Sequence, residues 1–435
     1  MTRRRAILAG SALSLCVSCA PRLAERPRAT VTEEARGGEP TRDAGRVARV
    51  ALALGATRPA LNATGEWALL DATGRTLVDH IAPTATWTFE RRGNEVRAVG
   101  PGTATPWRTD AIVAHPVEPE AFVVFNGRRW RGEVWTHPAA TGMTVVNRLP
   151  VEEYLRGVVP LELNAFAPRD GAALQAQAIA ARSYVYSRMP EFEPRDVAIR
   201  HAALPFDVRA TVSDQVYGGR DAEHPVADRA IATTAGLVLR YGGAVVTAPY
   251  HSACGGSTAE PAELWRAESE PYLRRVSDRV PGTDRYYCDI APRFRWTRSW
   301  DEAELRGILE RYLRAETSGG RVGEVAGVSI ESRTESGRVG VLDVTTGARH
   351  AALRGNDIRF ALRTFGGEIL PSTYFSVETE RDAAGHLARL TLRGNGNGHG
   401  VGMCQWGAVG RARAGQDART ILRAYFPGVS VEPVE

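Results

Sequence analysis

Two kinds of hydrophobic pattern divide the chain. From Arg46 to Arg148, β-branched and aromatic residues alternate with polar ones or form short clusters, as in VARVALAL, WALLDATGRTLV and FVVFNGRRWRGEVW. This pattern predicts strands, and the turn signals at residues 72–74 and 126–127 predict hairpins between them. We therefore expect a β-rich N-terminal lobe at residues 46–148. Trp130 and Trp135 in its last hairpin fit buried core positions better than sugar-stacking ones.

A helical pattern follows. Between Ala172 and Arg188, apolar residues return every three or four positions, which predicts a helix with Gln175 and Arg182 on a second face. Farther along, the pattern predicts a helix at residues 301–315 and strands at 325–333, 339–344, 374–377 and 387–392. The fold class is therefore α+β, with the sheet-rich N-terminal lobe and a mixed α/β lobe at residues 149–428 around a central cleft.

Length and charge are compatible with this division. The chain has 435 residues, more than a single core usually contains, so two lobes are expected. Its net charge is +5, and every one of its 55 basic residues is Arg. Schiff-base chemistry on a lysine is therefore excluded. The mild positive charge suits an anionic polymer, and it equally suits a genome that favours Arg codons.

The N-terminus predicts export. Three arginines at residues 3–5 precede the apolar run Ala6 to Val17, which is too short to span a membrane, so residues 1–19 are interpreted as an export signal. Val17-Ser18-Cys19 resembles a lipoprotein cleavage site, although Cys16 stands where such signals usually have Leu. Residues 20–45 are polar and predict a flexible tether. We expect a location in the periplasm or cell envelope, with lipid at Cys19 as the one membrane attachment suggested.

Glu162 is the candidate catalytic acid. It lies in the apolar run VVPLEL, and a carboxyl group desolvated by such neighbours has a raised pKa, as a general acid near neutral pH requires. The alternative is that a lone Glu in such a run faces solvent from a strand or caps a helix.

Two further segments carry polar candidates. His251 and Ser252 follow a predicted strand and precede two glycines, where side chains emerge at the end of a sheet. Adjacent strand residues point to opposite faces, which argues against a Ser-His nucleophilic pair. The Gly-rich segment GNGNGHGVGMCQWGAVG contains His399, Cys404 and Gln405. It lacks the Lys-Ser/Thr of a phosphate loop. A cysteine hydrolase using Cys404 and His399 has no evident third group.

Three ordered blocks resemble the stage II sporulation protein D family, whose members are also called amidase enhancers. They are YLRGVVPLEL followed by ALQAQAIAARSY, then YHSACGGSTAEPAELW with PYLRRV, and GHGVGMCQWGAVGRARAG, within residues 149–415. The sequence departs from the family pattern in having Leu163 for Met, Gln175 for Lys and Cys404 for Ser. The change at Gln175 removes a charge beside the expected cleft.

The resemblance implies lytic cleavage of peptidoglycan glycan strands, with Glu162 as the single acid and base. Arg182 would hold the acid or a substrate carboxylate. The other substrate-binding residues implied are Gln175, His251, Ser252, His399 and Gln405, although His399 could instead brace its loop. A second implication is a non-catalytic protein that binds the wall and enhances an amidase. No nucleic-acid partner is expected.

The cysteines of the exported region leave two alternatives. Cys254 and Cys288 would close a disulfide loop of about 34 residues, contributing roughly 3 to 4 kcal/mol. A zinc site made by His251, Cys254 and Cys288 is the rival, since some relatives are thought to hold zinc. We favour the disulfide, and we predict neither a metal nor a cofactor.

Overall fold

The computed structural model describes residues 46–192, 203–265, 267–316, 322–347 and 349–434. The predicted export signal and tether lie outside these ranges. The described residues form two compact units, one made of 46–296 with 395–434 and the other of Thr297–Gly394. The fold is α+β, as predicted. The described residues include no helix of the length and apolarity that a bilayer crossing requires.

Twelve strands occupy the predicted N-terminal lobe. They are Val47–Ala56, Ala60–Ala63, Trp67–Asp71, Thr76–Ile81, Trp87–Arg92, Glu95–Gly100, Thr103–Ala104, Ile112–Pro116, Val123–Phe125, Arg128–Trp130, Glu133–Pro138 and Met143–Pro150. The hairpin predicted at Asn126 and Gly127 is present, with positive φ at both residues. Such a turn matches the twist of the strands on either side.

These strands form two sheets. The first has seven strands, in the order Val208–Arg209, Val47–Ala56, Met143–Pro150, Glu133–Pro138, Ile112–Pro116, Trp67–Asp71 and Thr76–Ile81. The second has six, in the order Arg128–Trp130, Val123–Phe125, Ala60–Ala63, Trp87–Arg92, Glu95–Gly100 and Thr103–Ala104. Alternate residues such as Val96, Ala98, Ala114 and Val134 are fully buried where the two sheets pack together. Trp130 is buried too, which agrees with the core position predicted for it.

Two consecutive helices follow the last of these strands. Helix α1 (Val151–Glu162) carries Glu152 and Glu153 in its first turn, where negative side chains interact favourably with the positive end of the helix dipole. Helix α2 (Gly171–Tyr186) lies close to the predicted bounds, but its burial differs from the prediction. Its small alanines let neighbouring elements approach from nearly every side, so it is a central core helix rather than an amphipathic surface one.

The rest of this unit packs around α2. Its helices are Pro225–Ala232, Pro261–Leu264, Gln405–Arg413 and Ala418–Tyr425, with 3₁₀ turns at Pro168–Asp170, Pro190–Phe192, Gly219–Ala222 and Tyr287–Ile290. Its strands are Leu237–Tyr241, Ala244–Val245, Tyr250–His251, Met403–Cys404 and Ser430–Pro433.

The second unit interrupts the first in sequence. Its helices are Glu302–Glu316 and Asp357–Ala361, and its strands are Arg295–Asp301, Val325–Arg333, Val339–Thr346, Arg349–Arg354, Phe375–Arg381 and Leu387–Asn395. The strands that begin and end it, Arg295–Asp301 and Leu387–Asn395, are neighbours in one sheet. Just outside it, the amide of Gly396 donates to the carbonyl of Phe294 at 2.7 Å. The strand Arg349–Arg354 was not predicted from the sequence.

Candidate functional site

Helix α1 ends on the candidate acid, Glu162. Pro160 lies inside the helix near its end, where its missing N–H and its ring weaken the helical turn that precedes it. Leu163, the residue after Glu162, is extended and buried, so the chain leaves the helix immediately after the acid. Val158, Val159 and Pro160 are buried as predicted, whereas Leu161 is exposed. The apolar surroundings of Glu162 are therefore one-sided.

The carboxyl group of Glu162 has an elevated proton affinity. Burial raises its pKa from the ordinary 4.5 to about 7, against hydrogen bonds from Val216 and Gln405 that lower it. The Val216 amide donates to Oε1 at 2.7 Å. The last turn of α1 has no basic residue, and the negative end of a helix dipole further disfavours a carboxylate there. Such a group exchanges a proton near neutral pH, as sequence analysis anticipated for a general acid.

Two buried glutamines, Gln405 and Gln177, form a hydrogen-bonded series that begins at Glu162. Gln405, predicted to bind substrate, is the first residue of the helix Gln405–Arg413, and its amide lies within hydrogen-bonding range of Glu162. Its Nε2 also donates to Oε1 of Gln177 at 3.3 Å. Gln177 is fully buried in α2, and its own Nε2 contacts no acceptor among the described residues.

Gln175 belongs to a different part of α2. The sequence singled it out as a cleft residue, but it is only partly buried and its Nε2 donates to the Thr233 hydroxyl at 3.1 Å. Gln177, which the sequence analysis missed, is the glutamine of this helix that lies beside Gln405. A helical pattern does not separate these two residues when every face of the helix is covered.

A second hydrogen-bonded group lies near the acid. The Tyr154 hydroxyl donates to Gln215 at 2.9 Å, and Gln215 donates to the Tyr250 hydroxyl at 3.0 Å. Burial raises the pKa of both tyrosines well above the usual value, and the charge of Glu162 contributes to the rise. Both phenols therefore remain neutral hydrogen-bonding groups. Sequence reasoning missed Gln215 and Val216, because nothing in the segment TVSDQVYGG indicates contact with residue 162.

Arg182 is bound to Glu152 rather than to the acid. Its Nε and Nη2 each donate to a Glu152 carboxylate oxygen at 2.7 Å, and its Nη1 donates to the Leu237 carbonyl at 3.0 Å. The arginine is completely buried. These contacts occupy the guanidinium at the N-terminal end of α1, so Arg182 is not carried into the proposed substrate-binding set.

The other two motif blocks meet as a pair of parallel strands. Tyr250–His251 pairs with Met403–Cys404, which places His251 opposite Cys404, the residue before Gln405. Through this pairing His251 is connected to the acid site. Ser252 stays partly exposed, and its carbonyl accepts the Trp406 amide at 2.9 Å.

Glycines of the third block allow close backbone approach to the second. A Cβ on Gly398 would lie 2.7 Å from the Cβ of His251, and one on Gly402 would lie 2.1 Å from the carbonyl oxygen of Pro249. Both glycines have positive φ. These glycines therefore let one strand lie against another.

His399 braces this turn. Its Nδ1 accepts the Val401 amide at 3.1 Å, which assigns the ring proton to Nε2, and Nε2 then donates to the Tyr250 carbonyl at 2.9 Å. The ring also packs against Trp265, with centroids 5.0 Å apart. His251 lies on its other side at 5.4 Å and directs Nδ1 to the Val401 carbonyl at 3.1 Å. The bracing role left open for His399 matches these contacts.

None of the three described cysteines forms a disulfide, and all three are buried. The Sγ atoms of Cys254 and Cys288 are 3.5 Å apart, much farther than the roughly 2.05 Å of an S–S bond. The disulfide favoured from the sequence is therefore not formed. Cys404 and Asp278 share the same pocket.

Comparison with known proteins gives relatives over most of the chain. A family model described as "Stage II sporulation protein" matches residues 139–241, and a domain of unknown function matches residues 283–402. An uncharacterized protein of Brachyspira hyodysenteriae is 31% identical over 311 residues, covering 70% of this chain and 73% of the relative. The stage II sporulation protein D of Bacillus subtilis is 26% identical over 298 residues, covering 67% and 76%. The amidase enhancer of Bacillus subtilis is 28% identical over 309 residues, covering 64% of this chain and 40% of that protein.

Proposed function

Because this chain belongs to the stage II sporulation protein D family, as its three motif blocks predicted, we propose that it acts on the bacterial cell wall and cleaves peptidoglycan glycan strands with Glu162 as its catalytic residue. The observation that carries the proposal is the environment of Glu162. Its carboxyl has a pKa of about 7, raised by burial, at the end of a helix where the last turn offers no basic side chain.

The reaction proposed is lytic. Protonated Glu162 donates its proton to the glycosidic oxygen, and the bond to the muramic acid breaks. The carboxylate then takes the proton of the muramic acid 6-hydroxyl, whose oxygen closes an internal anhydro ring. The three motif blocks single out one candidate catalytic carboxyl, Glu162, whereas hydrolysis with inversion or retention normally uses two. A single acid that also serves as the base suits the lytic route.

The hydrogen bonds at Glu162 suit both halves of this cycle. The Val216 amide and the Gln405 side chain favour the carboxylate formed after the first proton transfer. Burial favours the acid formed after the second. A pKa near neutrality is the balance of the two, and it is the value at which one group gives and takes a proton most readily.

Substitution of Glu162 by Gln tests the proposal. We expect about a 10²- to 10⁴-fold loss in the rate of cleavage of peptide-stripped glycan strands, because Gln cannot supply the proton. Glu153→Gln, the same change nine residues earlier in α1, is the matched control and should retain activity. Mass spectrometry of the wild-type products should show anhydro ends. Products carrying an added water would contradict the lytic route.

A second candidate function follows from the relative named an amidase enhancer. In this alternative the chain binds glycan without cutting it and stimulates a cell-wall amidase. Glu162→Gln separates the two, since an enhancer would keep its effect on a purified amidase while the enzyme would lose its activity. Either function requires the exported location that the N-terminus predicts, and fractionation of cells producing the full chain tests it.

A further inference from the structure

Four buried side chains that the proposed reaction does not use converge on one point. They are Cys254, Asp278, Cys288 and Cys404, and their sulfur and carboxylate ligand atoms all lie within 4.8 Å of one another. Each of the four residues is fully buried. Three thiols and a carboxyl are an unfavourable set to bury together unless something compensates the acid. Four potential ligand atoms that converge in this way are typical of a metal site.

The spacing suits a tetrahedral metal ion. With Zn–S bonds of about 2.3 Å, tetrahedral ligands lie about 3.8 Å apart. The Sγ atoms of Cys254 and Cys288 are 3.5 Å apart, and Sγ of Cys254 lies 3.7 Å from Oδ2 of Asp278. A small movement of each side chain would therefore complete a site with four protein ligands.

Backbone N–H groups donate to two of the three sulfurs, those of Cys254 and Cys404. The amide of Cys254 donates to Sγ of Cys404 at 3.2 Å, and the amide of Gly256 donates to Sγ of Cys254 at 3.4 Å. Cys404 caps the helix Gln405–Arg413, and its sulfur accepts the Gly407 amide at 3.3 Å. N–H donors and the positive end of a helix dipole both stabilise negative sulfur, the form that binds metal.

The carboxyl group has the outer support typical of a metal ligand. One oxygen of Asp278, Oδ2, faces the sulfurs and accepts the Cys288 amide at 3.0 Å. The other, Oδ1, accepts the Tyr425 hydroxyl at 2.6 Å and lies 3.5 Å from Nε of Arg411. Contacts of this kind orient a ligating carboxylate, and the arginine offsets part of the negative charge of three thiolates and one carboxylate.

Neither alternative drawn from the sequence accounts for all four groups. A disulfide between Cys254 and Cys288 does not explain why Cys404 and Asp278 converge on the same point. The set that included His251 does not match either, because the ligand atoms that converge belong to Cys254, Asp278, Cys288 and Cys404.

We propose that Cys254, Asp278, Cys288 and Cys404 bind one Zn²⁺ ion as a structural site, in place of the metal-free protein expected from the sequence. Binding releases the thiol protons and leaves no coordination position for substrate. The ion would fasten the strand pair Tyr250–His251 and Met403–Cys404 directly beside Gln405. The role of the ion is thus to hold Gln405, the neighbour of Glu162, in place.

Metal analysis of the full chain tests this directly. Protein purified without added metal should retain about one zinc ion per chain through gel filtration, measured by inductively coupled plasma mass spectrometry. Alkylation followed by peptide mapping should show the three cysteines protected until a strong chelator is added. Chelation should also lower the melting temperature. Substituted Co²⁺ should give a thiolate-to-cobalt absorption band in the near ultraviolet.

Variants then identify the ligands. Asp278→Asn and Cys288→Ser should lose zinc, Tyr425→Phe should weaken its binding roughly 10- to 100-fold, and His251→Ala should keep it. Zinc lost from His251→Ala but kept by Asp278→Asn would overturn the ligand set. The site itself would be overturned by a wild-type protein that holds no zinc or whose unreduced mass shows a disulfide. This test does not depend on whether the variants fold. None of these measurements depends on glycan cleavage.

Discussion

The two ends of helix α1 each carry a glutamate, and their surroundings give them different tasks. Glu152 in the first turn is held by both nitrogens of a buried guanidinium, that of Arg182. Glu162, ten residues later, meets an amide and a glutamine, and burial raises its pKa to about 7. The residue type and the helix are the same, so the difference lies in burial and in the charge of the neighbours. The comparison shows that a glutamate can serve as a proton donor where the fold places no cation beside its carboxyl group.

Glu152→Gln should have the largest effect on stability. It leaves the Arg182 guanidinium buried without a counter-charge, which costs roughly 3 to 5 kcal/mol in similar cases. Chemical denaturation at pH 7 measures the change in free energy of unfolding. Glu153→Gln, at the next position, is the control and should change stability little. An equal and small effect of both substitutions would mean that the ion pair does not distinguish this end of the helix.

Glu162→Gln should have the opposite effect and increase the free energy of unfolding at alkaline pH. The folded-state pKa of Glu162 is above its unfolded value, so the folded state holds an extra proton between about pH 4.5 and 7, and stability falls as pH rises through that window. Gln does not ionise, so at pH 8 the variant should be more stable than the wild type by up to roughly 2 to 3 kcal/mol, less where solvent screens the charge. At pH 4 the two proteins should unfold alike. A variant that is less stable at pH 8 would contradict the comparison.

Gln405→Leu should have a smaller effect, seen in the pH dependence of cleavage. The general acid must be protonated, so the rate should fall as pH rises through about 7 in the wild type. Removing the Gln405 hydrogen bond destabilises the carboxylate, and the midpoint should move upward by about one pH unit. Gln175→Leu is the matched control on a glutamine away from the acid. A midpoint that moves downward would show that Gln405 does not stabilise the carboxylate.

Local pattern predicted much of the fold. The strands from residue 46 to 148 follow from alternation and turn signals, and the bounds of Val325–Arg333 match the prediction. Helix α1 was less evident, because Pro160 near its end hides the helical period. The strand Arg349–Arg354 was missed, since ARHAALR shows little alternation of apolar and polar residues.

The site was predicted only as far as single residues carry their own signal. Glu162 was found through the apolar residues around it. The choice of Gln175 over Gln177 depended on which face of α2 is covered, and the pattern of a fully buried helix does not contain that information. The partner of Arg182 and the proton position on His399 depend on groups far away in sequence. The four converging ligands span 150 residues, so only the folded chain brings them together.

The second unit enters and leaves the first through adjacent strands, with Phe294 and Gly396 hydrogen-bonded at its base. It is therefore a cassette in an otherwise continuous fold. A short turn joining the two strands at that base could replace the whole of Thr297–Gly394 while preserving the segments that carry His251 and Gln405.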